Sequence, residues 1–272
     1  MLGIIVRSSH PAPTFAVTTL TLLLTIAFGL PPLSAAVIVV AVFFNQIAIG
    51  LSNDVIDLSR DQRAGRTDKP LVTGALSTST AWWIVASCTV LSLTLSALVN
   101  PFVAVWQAVF LVSGFVYNAG LKSTVFSAIP YATGFAALPT LVSWGAQPPG
   151  WPGWWVMLVG AILGVSAHFA NVLPDGDSDR NEGIRGLPQR ASSLTTAKVL
   201  VCLAALSSII LIWQAGASAV WVTIPLGVGA IAVSGAAAFL AQRKKATRWP
   251  FRLSMVAAGL IAIGLIGALR AG

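Results

Sequence analysis

Carboxylates are nearly missing from this chain. It has 272 residues but only eight Asp and Glu, and all eight fall in two short stretches, Asp54–Asp68 and Asp175–Glu182. Charge of either sign is scarce: 9% of residues are Asp, Glu, Lys or Arg, where a soluble domain carries about 25%. That scarcity excludes an ordinary soluble fold. The two cysteines, Cys88 and Cys202, sit in separate apolar runs without metal-ligand spacing, so they read as small core residues and not as a disulfide framework or a zinc site.

What is abundant is apolar sequence, 56% of the chain. Runs of about twenty such residues recur, each long enough to cross a bilayer as a helix. Nine spans can be drawn, at about 12–33, 35–52, 80–98, 101–117, 124–144, 153–172, 196–214, 218–241 and 251–269. Turns between them are marked by Pro31-Pro32, Asn100-Pro101 and the stretch Gln147-Pro148-Pro149-Gly150. The expected fold is all-α, a polytopic membrane protein whose nine transmembrane helices surround a central cavity, with 1–272 forming a single integral-membrane domain. The first apolar run has no small-residue cleavage site and reads as a retained span.

The basic residues test this division independently. Under it Arg7, the Arg60–Lys69 group, Lys122, the Arg180–Lys198 group and the Arg243–Arg252 group all fall on one face, and only Arg270 falls on the other. Lys and Arg collect in cytoplasmic loops. The expected location is therefore an integral membrane protein, read as that of a bacterial plasma membrane, with the N-terminus cytoplasmic and the C-terminus outside. The formal net charge of +8 is explained by this retention and by attraction to anionic membrane lipids. No nucleic-acid partner and no obligate protein partner are needed to account for it.

The acidic stretches repeat one pattern, Asn53-xxx-Asp57-xxx-Asp61 and Asn171-xxx-Asp175-xxx-Asp179, four spans apart. Residues four apart share a helix face, so each pattern forms a stripe, and Asp54 and Asp177 fall off it. Asn45 and Gln46 continue the first polar track into the membrane, as His168 does the second. Polar groups at that depth are costly unless they face protein or a wet cavity. Tyr117 and Tyr131 are further candidates for lining a substrate pocket. Carboxylates and amides without a His/Cys set suit a hard cation such as Mg²⁺, which is held by one or two carboxylates with waters and substrate phosphates. Basic residues beside the acids suit the anion that such a cation bridges. Together they describe a diphosphate clamp at the mouth of an apolar chamber.

These residues resemble the UbiA superfamily of intramembrane prenyltransferases. Asn53-Asp54-Val-Ile-Asp57-Leu-Ser-Arg-Asp61 is similar to its NDxxDxxxD motif, and Asp68-Lys69-Pro70-Leu71-Val72-Thr73-Gly74 to the continuation of that motif. Asp175-Gly-Asp-Ser-Asp179 is similar to the second motif, and Tyr117-Asn-Ala-Gly-Leu-Lys122 to a Tyr/Lys element after the fourth span, here one residue longer than the common form. The resemblance implies cytoplasmic catalytic loops at about 53–79, 117–124 and 171–195. It implies Mg²⁺ as cofactor, held by Asn53, Asp57, Asp61, Asp175 and Asp179, the four aspartates being catalytic. It also implies diphosphate contacts from Arg63, Lys69, Lys122, Arg180 and Arg7. The activity implied is transfer of a prenyl group from an isoprenoid diphosphate to a small acceptor, read as aromatic, with release of diphosphate. A membrane-embedded terpene cyclase with the same Asp-rich site is the alternative, and a transporter of cations or anionic lipids is a third reading.

Overall fold

The computed structural model describes residues 10–172, 185–242 and 249–271, and these are helical, with no strand among the described residues. In chain order the helices are α1 (Pro11–Ala27), α2 (Pro32–Ile56), α3 (Leu58–Arg63), α4 (Thr78–Val99), α5 (Pro101–Asn118), α6 (Ile129–Trp144), α7 (Trp154–Val172), α8 (Ser193–Gln214), α9 (Gly216–Gln242) and α10 (Trp249–Ala271). Short 3-10 turns occupy Leu121–Ser123 and Pro188–Arg190. Seven of the helices (α2, α4, α5, α7, α8, α9 and α10) are long and apolar enough to cross a membrane. The apolar α1 is shorter at 17 residues, and α6 has 16.

Local chemistry sets the helix starts. Ser77, Asn100 and Ser192 each accept a backbone N–H of the first turn they precede, from Thr80, Phe102 and Thr195. Pro101 then stands at the first position of α5, where its missing N–H is no loss. The end of α1 comes earlier than the apolar run suggests. Gly29 takes φ +65°, with Leu30 N–H donating to the Thr25 carbonyl and Gly29 N–H to that of Ile26. That reverse turn closes the helix before Pro31-Pro32 opens the next.

The chain divides into two compact units, Met1–Gly120 with Thr140–Trp151, and Leu121–Pro139 with Pro152–Gly272. In the first, α2 is the central helix, packed against α1, α4 and α5. Its core joins Ile47, Ala48, Leu51 and Val55 to Ala81, Val85, Cys88 and Leu111. Two residues of the polar loop after α3, Leu71 and Leu76, are buried in the same cluster. In the second unit α10 packs against α7, α8 and α9, and Phe169, Ala170 and Leu200 form a core with Phe251 beside them. There α7 approaches α6 through glycine: a Cβ at Gly164 would collide with the Tyr131 carbonyl and stand 2.8 Å from Phe135 Cβ. Buried hydroxyls turn back on their own helices, as Thr21 does to the Val17 carbonyl, Ser96 to Ser92 and Ser208 to Ala204. In an apolar surrounding each donor must find such an internal acceptor.

Candidate functional site

The first acidic motif runs through a helix junction. α2 ends at Ile56, and Asp57 caps it at φ −85°, ψ −2° before α3 begins. The i−4 pattern persists across the break: Asp57 N–H donates to the Asn53 carbonyl and Asp61 N–H to that of Asp57, each at 2.9 Å. Asn53, Asp57 and Asp61 therefore stay in helical register although the helix tightens at Asp57, where Arg60 N–H also reaches the same carbonyl. α3 then stops at Gly65, φ +66°, with Arg66 N–H donating back to the Asp61 carbonyl.

All three aspartates of this segment are buried: Asp54, Asp57 and Asp61 are 2%, 6% and 3% exposed. Buried carboxylates stay charged only if paired, and each has a cation. Arg60 Nη2 donates to Asp57 Oδ2 at 2.7 Å. Lys69 Nζ donates to Asp54 Oδ1 at 2.8 Å and to Asp61 Oδ2 at 2.7 Å. His10 Nε2, at the start of α1, lies 3.1 Å from the same Asp54 oxygen. Burial alone would lower the Lys69 ammonium's pKa; its hydrogen bonds to Asp54 and Asp61 outweigh that and raise it above the usual lysine value. What brings Lys69 back to α2 is hydrophobic: the adjoining Leu71 and Leu76 sink into the core of the first unit. The Arg66–Asp68 pair lies in the open, 50% and 64% exposed, and contributes little to stability.

Asn53 is fixed from a second side. Its Nδ2 donates to Asn118 Oδ1 at 3.0 Å, while Asn118 Nδ2 donates to the Ile49 carbonyl and to Ser52 Oγ, both at 2.9 Å. Asn118, the last residue of α5, thus clips the end of that helix onto α2. Replacing Asn118 by Ala removes these bonds and is expected to cost roughly 2 kcal/mol, at about 1 kcal/mol per net bond with part regained by water. A melting temperature equal to that of the parent protein would contradict this.

The other sequence-derived candidates are distributed as follows. Arg63 is exposed at the end of α3. Asn45 is fully buried in α2, and Gln46 beside it donates to Asn45 Oδ1 at 3.4 Å. Tyr117 is half-buried in α5. In the second unit Lys122 is buried in its 3-10 turn, and Asn171 is exposed at the end of α7. His168 is fully buried, stacked on Tyr131 at 4.7 Å between ring centres and paired through Nε2 with Ser127 Oγ at 2.9 Å. Arg7, Asp175, Asp179 and Arg180 lie outside the described residues.

Asp54, His10, Asn118 and Ser127 were not singled out from sequence. Asp54 carried a usable signal, since an acid inside an apolar helix needs a cation. Asn118 carried one as well, as an amide closing an apolar span next to Tyr117. Among the described residues no three His, Cys, Asp or Glu side chains surround a common point. The donors present are nonetheless all oxygen: the carboxylates of Asp57 and Asp61 and the Asn53 amide. That chemistry fits a hard divalent cation.

The chain belongs to the UbiA prenyltransferase family, whose model matches residues 13–260. Several solved structures share the fold. A UbiA homolog from Archaeoglobus fulgidus bound to GPP and Mg²⁺ is 18% identical at TM-score 0.72, covering 98% of this chain and 99% of that one. A UbiA homolog from Aeropyrum pernix K1 in its apo form is 18% identical at TM-score 0.72, covering 94% and 97%. A digeranylgeranylglyceryl phosphate synthase is 15% identical at TM-score 0.71, covering 99% and 98%. At these identities the likeness is one of fold. No curated protein sequence matches the chain.

Proposed function

We propose that this protein is a Mg²⁺-dependent intramembrane prenyltransferase that moves a prenyl group from an isoprenoid diphosphate to a small aromatic acceptor and releases diphosphate. The observation that carries the reading is the buried set Asp54, Asp57 and Asp61 with its cations Arg60 and Lys69, at the end of a membrane-length helix. Family membership supports it, as do the A. fulgidus homolog structures bound to GPP or DMAPP with Mg²⁺.

Asn53, Asp57 and Asp61 would hold the metal, and Asp175 and Asp179 are assigned the same task on sequence grounds. Bound there, Mg²⁺ would neutralise charge on diphosphate oxygens as a Lewis acid. Arg63, Lys69, Lys122, Arg180 and Arg7 supply the fixed positive charge that stabilises the departing group. The C1–O bond of the prenyl diphosphate breaks with both electrons leaving on oxygen. A carbon or heteroatom of the acceptor then bonds to C1 and loses its proton. Asn118 and the ion pairs around Asp54 hold the metal-binding side chains in place, so little reorganisation is needed when charge moves. The catalytic loops face the cytoplasm in this reading, and the protein sits in the plasma membrane of a bacterium.

Removing divalent cations with EDTA is expected to stop diphosphate release, and added Mg²⁺ to restore it. Release that continues in excess EDTA would contradict the assignment. Mg²⁺-dependent release with no acceptor present and a hydrocarbon product would instead identify the cyclase.

A further inference from the structure

The second unit contains a node of contacts that the proposed chemistry does not use directly. Ser127 is fully buried, and its Oγ accepts the Leu187 backbone N–H at 2.8 Å while pairing with His168 Nε2 at 2.9 Å. Three separate pieces of chain meet at that oxygen: the turn that follows Lys122, the segment that follows the second acidic stretch, and the end of α7. One residue before Leu187, the backbone of Gly186 lies directly against the Lys122 carbonyl. A Cβ there would collide with that oxygen, and would stand 2.7 Å from Gln189 Oε1 and 3.0 Å from Ser127 Oγ. The turn itself is tightly wound, with Thr124 N–H donating to the Leu121 carbonyl at 3.0 Å and Ser127 N–H to that of Thr124 at 3.2 Å. Lys122 and Arg185, two cations, are thereby carried on adjoining stretches of backbone. The proposed function assigns Lys122 to the diphosphate, and basic residues on the adjoining stretch suit the same anion.

We infer that Ser127, oriented by His168, is a positioning residue that locks the Lys122 turn to the Arg185–Arg190 segment so that their basic side chains meet the diphosphate of the substrate as one preformed unit. The inference rests on the proposed function and gives His168 a task different from substrate contact. His168 is held by the Tyr131 ring on one side and by Ser127 at Nε2. It holds the Ser127 oxygen, Ser127 holds Leu187, and Leu187 keeps Gly186 on the Lys122 carbonyl. Loosening any link lets the ammonium of Lys122 move. A displacement of this kind weakens a diphosphate contact without removing it.

A double-mutant cycle tests this. Geranyl diphosphate binding is measured calorimetrically in the presence of Mg²⁺ for the full-length protein in lipid nanodiscs, as the parent, Ser127→Ala, Lys122→Ala and the double variant. If Ser127 acts through Lys122, Ser127→Ala weakens binding about tenfold, the scale of one lost hydrogen bond to a charged group. It then adds nothing once Lys122 is already Ala, because coupled residues are not additive. Where Ser127→Ala does not yield folded protein, His168→Phe replaces it in the cycle, since Phe keeps the ring stack on Tyr131 and loses the hydrogen bond to Ser127. Unchanged affinity in a folded single variant overturns the inference, as does a full tenfold loss that persists in the Lys122→Ala background. A parent protein that binds no prenyl diphosphate overturns the proposed function and this inference with it. Tight binding by the parent with an additive cycle overturns this inference alone.

Discussion

Replacing Asp57 by Ala is expected to lower turnover by about a thousandfold or more while leaving a folded, membrane-inserted protein. Asp57 is 6% exposed and stands at the junction of α2 and α3, where the backbone holds it in register with Asn53 and Asp61. A metal acting as a Lewis acid on a leaving group supplies several kcal/mol of transition-state stabilisation, and each 1.4 kcal/mol or so is a factor of about ten in rate. With Asp57 a metal ligand as proposed, losing its carboxylate forfeits most of that. The fold should survive, because Arg60, the partner left behind, is 23% exposed and can turn to water. Single-turnover diphosphate release checks the prediction. Activity within about tenfold of the parent would remove Asp57 from the chemistry.

Lys69→Met has the largest expected effect on stability. The ammonium lies between Asp54 and Asp61, whose side chains are 2% and 4% exposed, and is itself 12% exposed. Removing one partner of a buried ion pair leaves an uncompensated charge and costs about 3–5 kcal/mol. Asp54 keeps His10 as a neighbour, so the cost falls mainly on Asp61. A large fall in melting temperature is expected for Lys69→Met and a smaller one for Lys69→Arg, which keeps the charge. Equal melting temperatures for parent and Met variant would mean that the two aspartates find other compensation. Turnover should fall along with stability, since Lys69 is also one of the proposed contacts for the diphosphate.

Much of this was legible in the residues themselves. Length and apolarity drew segments that each overlap a helix, and Asn100-Pro101 marked the start of α5 at the right residue. The apolar run extends to 33, six residues past the end of α1 at Ala27. Apolarity continues past the point where Gly29 turns the chain, and hydropathy is blind to backbone angle. The second apolar run ends at 52, whereas α2 continues to Ile56. Polar residues ended the apolar run, although buried polar residues with partners extend a helix as well as Leu does.

The site was legible as composition and spacing, and less so as partnership. The stripe Asn53, Asp57, Asp61 keeps its helical register, but spacing set Asp54 aside as off the stripe. Asp54 turns inward because Lys69 and His10 both reach it, and Lys69 reaches it because Leu71 and Leu76 are apolar enough to pull their loop into the core. No periodicity encodes a contact between residues fifteen or forty-four positions apart. In the sequence, His168 is a polar residue in an apolar helix that either packs or meets substrate. Its partner, Ser127, lies 41 positions away, and a serine near a loop carries no signal of its own.

As proposed, this chain breaks an isoprenoid diphosphate and passes the prenyl group on. Incubating the purified protein with a panel of prenyl diphosphates and aromatic acceptors, with Mg²⁺ present, and weighing the products by mass spectrometry tests it most directly. The expected products are an acceptor heavier by one prenyl unit and an equal amount of diphosphate, and neither forms with the Asp57→Ala variant. Intact prenyl diphosphate after every combination would contradict it.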